Sequence, residues 1–128
     1  MTKGGKFGLM ILLAAVVVGA GKLQDTKKQL TYDADVAPII KRHCLPCHLE
    51  ESENRSGLAL DSYALMIKGG EHGTPVVPGK PDESYLLTKL STDPPFGKQM
   101  PRGRRSKPLT KEELKTISDW IKEGAKEK

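Results

Sequence analysis

The stretch KRHCLPCHLE, Lys41–Glu50, holds both cysteines of this 128-residue chain. Cys44 and Cys47 stand three apart, and His48 follows at once. A disulfide across so short a loop contributes little to stability and leaves His48 without a role. A thioredoxin-like dithiol needs the pair at a helix start beside a βαβ unit. Here the pair follows a helical pattern, and no alternating strand pattern of useful length accompanies it. A zinc site could take Cys44, Cys47 and a histidine, with His43 or His72 as a further ligand, but structural zinc draws on a second paired knuckle that the chain lacks. Covalent haem uses all three residues. The two thiols match the two vinyl groups of one porphyrin edge, and the next residue brings an imidazole to the iron. The expectation is therefore one haem c, attached through Cys44 and Cys47, with His48 as the proximal iron ligand.

Upstream, residues 1–20 form a unit of their own. Lys3 and Lys6 precede an unbroken apolar run from Leu9 to Ala20, and Val18 and Ala20 supply a small-residue cleavage pattern. A basic start, a short apolar middle and a small-residue end make a secretory signal. The rival reading is a retained membrane anchor over residues 7–21, which is short for a span of about 20 apolar residues. Either way the domain is expected outside the cytoplasm, periplasmic or otherwise extracytoplasmic, where haem attachment also belongs. Residues 21–31 read as a polar tether, and 32–128 as the domain.

Downstream the pattern is helical. Val36, Ile39, Ile40 and His43 share one side of a first helix, with Pro38 near its front. DSYALMIK reads as a second helix, capped by Asp61 and stopped by Gly69-Gly70. KPDESYLLTKL reads as a third, with Pro81 at its first position and acids in its first turn. LTKEELKTISDWIKEGA is the last, with Thr110 and Glu113 in capping-box spacing and Leu114, Ile117, Trp120 and Ile121 as its apolar stripe. Gly- and Pro-rich loops lie between, and long loops in a small domain imply that something sits among them. The composition agrees. Hydrophobic residues make up 37% of the chain and aromatics only 5%, a thin core that a buried cofactor would fill out. The formal charge of +5 is mild, and no basic block interleaved with aromatics points to nucleic acid.

A sixth iron ligand can be sought among Met66, Met100, His43, His72 and a lysine. Met66 sits inside a helix, where methionine packs a core. His43 adjoins Cys44, too close to the attachment point to reach the other haem face, and reads as a surface or interface group. His72 lies in the loop GGEHGTP and stays a rival. Met100 lies between a Gly/Pro-rich loop and Pro101, far enough along the chain to come around the haem, and is favoured. With His48 and Met100 both bound, no position remains for substrate, and the iron carries electrons without bond chemistry. A peroxidase-like activity would require one of those ligands to open.

The segments DVAPIIKRHCLPCH, SGLALDSYALMIKGG, VVPGKPDESYLLTKL, QMP and LTKEELKTISDWIKEGA, in this order over about Tyr32 to Ala125, resemble the single-haem cytochrome c domains of planctomycete proteins. The resemblance implies an all-α, class I-like fold: a small cytochrome c-like helical bundle with long loops around one haem, its first and last helices crossing. It also implies His48 and Met100 as axial pair. The sequence departs from many relatives right after Met-Pro, where MPRGRRSKPL has Arg102 instead of the further proline they carry. The function expected is a one-electron carrier between redox proteins. A fixed haem subunit of a membrane-associated redox complex is the alternative, and a zinc-stabilised binding module the non-redox one. Lys98, Arg102, Arg104, Arg105 and Lys107 flank Met100 and would steer a partner with an acidic docking surface.

Overall fold

The computed structural model describes residues 1, 27–45, 47–103 and 106–128. The expected signal or anchor over 1–20, the first part of the tether, and Arg104 and Arg105 lie outside them. Among the described residues the chain is helical and contains no strand, only an isolated bridge between Gly70 and Gly73. No helix there is long and apolar enough to cross a membrane.

The first helical segment starts earlier than its apolar spacing suggests. A π-helical stretch, Tyr32–Val36, runs directly into α1, Ala37–His43. Thr31 caps it by accepting from the Ala34 amide, and Ala37 N–H bonds back to Tyr32 O in the wide turn just before Pro38, which has no N–H to give. Lys27 and Leu30, from the segment read as a tether, donate to the Glu123 carboxylate at 3.1 and 3.0 Å.

Two expected helices differ in detail. In α2, Tyr63–Lys68, the cap is Ser62 rather than Asp61: Ser62 Oγ accepts from Leu65 N–H, while the Asp61 carboxylate accepts from Glu50 N–H. Gly69, at φ 77°, ends the helix as expected. The third is not continuous. A 3-10 turn, Pro81–Glu83, is separated from α3, Tyr85–Thr88, by Ser84. Ser84 is fully buried, and its hydroxyl bonds Val77 N–H at 2.8 Å and Lys80 O at 2.8 Å. That local bonding competes with a helical path. The last helix, α4, Lys111–Lys122, has the expected capping box in full: Glu113 N–H to Thr110 Oγ1 at 3.1 Å and Thr110 N–H to Glu113 Oε2 at 2.9 Å.

The core gathers Val36, Ile39 and Ile40, Leu58 and Leu60, Met66, and Ile117, Trp120 and Ile121. Each such fully buried side chain contributes about 1.5–3 kcal/mol before ordering costs are subtracted. Helix α4 packs on the Tyr32–Val36 stretch, with the Trp120 and Tyr32 rings 6.1 Å apart and Trp120 Nε1 donating to Lys126 O at 2.8 Å. Leu114 is only half-buried and stays outside the core.

Candidate functional site

A cavity of about 870 Å³ opens between the Cys44–His48 turn, the Ser56–Leu60 segment, the end of α3 and the loop from Phe96 to Gly103. Cys44, Cys47, His48, His72 and Met100 all line it. Met66 does not; it is fully buried in the core. No residue of α4 reaches the cavity, so the stripe of that helix shapes the core and not the site.

Helix α1 sets the cysteine pair. Cys44 N–H bonds Ile40 O at 2.8 Å at the end of α1, and His48 N–H bonds Cys44 O at 3.2 Å, which sets Cys44 and His48 across one turn. The thiols are not bonded to each other. Burial pushes the Cys44 thiol up to about 11. That is the reverse of a redox dithiol, whose reactive thiol is lowered.

His48 is held from two sides by the segment that follows. Its carbonyl accepts from Leu60 N–H at 2.7 Å, and its ring Nδ1 lies 2.9 Å from Leu58 O. A carbonyl oxygen can only accept, so Nδ1 carries a proton, and the lone pair of the neutral ring lies on Nε2. This arrangement fixes tautomer and ring orientation in a metal-binding histidine. The acceptor is main chain, which no residue identity announces.

The other walls are apolar and cationic. Leu45, Leu58, Leu86, Leu90 and Leu109 supply the apolar lining, and Arg42, Lys89, Lys98 and Arg102 the charge, with no Asp or Glu lining the cavity among the described residues. Met100 comes from the loop after α3, its N–H bonded to Lys89 O at 2.8 Å. His72 stacks on Phe96 with ring centroids 3.9 Å apart, and the Tyr85 ring meets Phe96 edge-on. His43 is not a plain helix-surface group. Its ring bridges Lys107 O at 3.0 Å and the Glu113 carboxylate at 3.1 Å, tying α1 to the start of α4. Arg42 joins the same carboxylate at 2.9 Å.

Among the described residues no group of three or more His, Cys, Asp or Glu stands close enough to hold a metal ion, which leaves a zinc-stabilised module without a ligand cluster. The residues fit haem instead: a large apolar cavity, two thiols and an imidazole on one turn, a thioether on a separate segment, and cationic side chains in the lining that could meet propionates. Sequence reading did not single out Lys89, a lysine at a helix end that looks like a solvated surface group.

Residues 44–102 match the family model of planctomycete cytochrome c. No curated protein matches the chain. Among solved structures, a chain of hydrazine synthase from Kuenenia stuttgartiensis is 25% identical with a TM-score of 0.48, over 80% of this chain and 17% of that one. The chain thus spans less than a fifth of that protein's length.

Proposed function

We infer that this chain, whose residues 44–102 match the model of planctomycete cytochrome c, is a cytochrome c domain and an exported mono-haem electron carrier ligated by His48 and Met100. The observation that carries the reading is the Cys44–His48 turn, with His48 Nδ1 tied back to Leu58 O at a cavity whose described lining is apolar and cationic. Bound there through Cys44 and Cys47, haem supplies a one-electron iron couple. His48 gives a basic nitrogen made more basic by its carbonyl partner. Met100 gives a soft thioether that favours the ferrous state and fills the remaining position, so that the site passes electrons rather than binding substrate. Exposed Lys98 and Arg102 border the cavity beside Met100 and suit an acidic redox partner, whose encounter salt would slow.

The test is Met100→Ala in the oxidised holoprotein. The weak long-wavelength sulfur-to-iron charge-transfer band should vanish and the reduction potential should fall. Retention of both would place the sixth ligand elsewhere, and a bis-histidine spectrum in the native protein would point to His72. A native protein that is five-coordinate and turns over peroxide would refute the pure carrier reading.

A further inference from the structure

We propose that Lys89 is a positioning residue for Met100, holding the loop that carries the thioether at the cavity wall; the proposal rests on the reading of Met100 as iron ligand. Residues 91–103 contain no helix or strand, so something other than a ladder must fix their path. Lys89 bonds that loop at three points. Its carbonyl accepts from Met100 N–H at 2.8 Å, and its ammonium donates to Phe96 O and, at 2.8 Å, to Lys98 O. The same nitrogen lies 4.5 Å from the centre of the Phe96 ring. Gln99 adds a bond from its amide to Leu90 O at 2.8 Å.

The lysine is only 9% exposed, and among the described residues no carboxylate pairs with it. A buried ammonium without a counter-charge is costly unless hydrogen bonds satisfy it. The carbonyls of Phe96 and Lys98 do so here, and the loop is pinned in return. A thioether is a neutral, soft ligand, and its occupancy of the iron depends on arriving pre-placed. Loosening the loop raises the fraction of molecules with that position open, and the apparent affinity for any external ligand rises with that fraction.

The experiment compares imidazole binding to ferric holoprotein in wild type, Lys89→Met, Lys89→Arg and Met100→Ala. Lys89→Met keeps the apolar stem and removes the ammonium. It should tighten imidazole binding on the order of tenfold and weaken the sulfur-to-iron band, with Lys89→Arg returning both toward wild type. Thr110→Ala, which removes the cap of α4 at a residue that does not itself line the cavity, should leave imidazole affinity unchanged. Should Lys89→Met fail to mature, Lys89→Gln, a neutral donor on a shorter stem, is read in its place and must show the same tightening. Wild-type affinity in the Lys89 variant, or an equal tightening in Thr110→Ala, overturns the proposal. If Met100→Ala moves neither band nor affinity, the ligand reading has failed; if it moves both and the Lys89 variant moves neither, only the role of Lys89 has.

Discussion

Gly70 lies outside the cavity lining, yet substituting it should reach the histidine. Its backbone passes against the segment that backs His48. A Cβ on Gly70 would overlap Ser56 O and lie 2.8 Å from Leu58 N, and both obstacles are main chain rather than the end of a flexible side chain. Gly70→Ala must therefore displace Ser56–Leu58. Two hydrogen bonds lie in the path: Glu71 N–H to Ser56 O at 2.8 Å, and His48 Nδ1 to Leu58 O at 2.9 Å. Overpacking costs about 1–3 kcal/mol, and each weakened hydrogen bond about 0.5–1.5 kcal/mol. A loss of about 2–4 kcal/mol in urea unfolding is expected. Gly57→Ala is the control, because Gly57 has φ 59° but nothing within 4 Å of an added Cβ. It carries the left-handed penalty of about 1–2 kcal/mol within the same segment but without the main-chain overlap that would displace it. The distinguishing readout is the His48 ring. Weakening its bond to Leu58 O makes the imidazole a poorer donor to ferric iron, so Gly70→Ala should raise the reduction potential while Gly57→Ala leaves it unchanged. Equal potentials in the two variants would show that the Leu58 carbonyl does not tune His48.

Trp120→Ala should cost about 3–5 kcal/mol in denaturant unfolding, since the ring is fully buried against Tyr32, whereas Trp120→Phe should lose mainly the bond to Lys126 O, about 1 kcal/mol; unchanged stability in Trp120→Ala would show that the ring makes no part of the core. Glu113 is held below the usual carboxylate range by Thr110 N–H first, then by His43 and Arg42. A depressed folded value means that its stabilisation is present above the unfolded carboxylate pKa of about 4.3 and is lost as pH falls through the folded value. Glu113→Gln should therefore lower stability near neutral pH by about 1 kcal/mol and flatten the acid side of the stability profile; an unaltered acid slope would show that another carboxylate sets it.

What the sequence disclosed follows from what a side chain can and cannot announce. The Thr110–Glu113 capping box is a contact between residues close in sequence, so its geometry is written in their separation, and the structure forms it in full; in the C-x-x-C-H stretch His48 N–H bonds Cys44 O across one turn. KPDESYLLTKL has a helix-start pattern and a shared apolar face, and nothing in either tells that Ser84 turns its hydroxyl to Val77 and Lys80 and splits the segment. Asp61 and Ser62 are both capping residues; the choice between them depended on Glu50 N–H, eleven residues away, taking the Asp61 carboxylate. The same limit explains Lys89. Read along α3 it is a polar residue at a helix end, where a basic side chain faces water and complements the helix dipole. It becomes a buried loop anchor because the chain, after turning through Asp93–Pro95, brings two carbonyls over it, and a carbonyl has no letter in the sequence. The Leu58 oxygen on His48 and the Lys89 oxygen on Met100 are of this kind as well. The atoms expected to meet the cofactor are thus legible as residue types, while those that aim them are largely backbone. Substitutions that move backbone, such as Gly70→Ala, consequently test the site more directly than surface charges do.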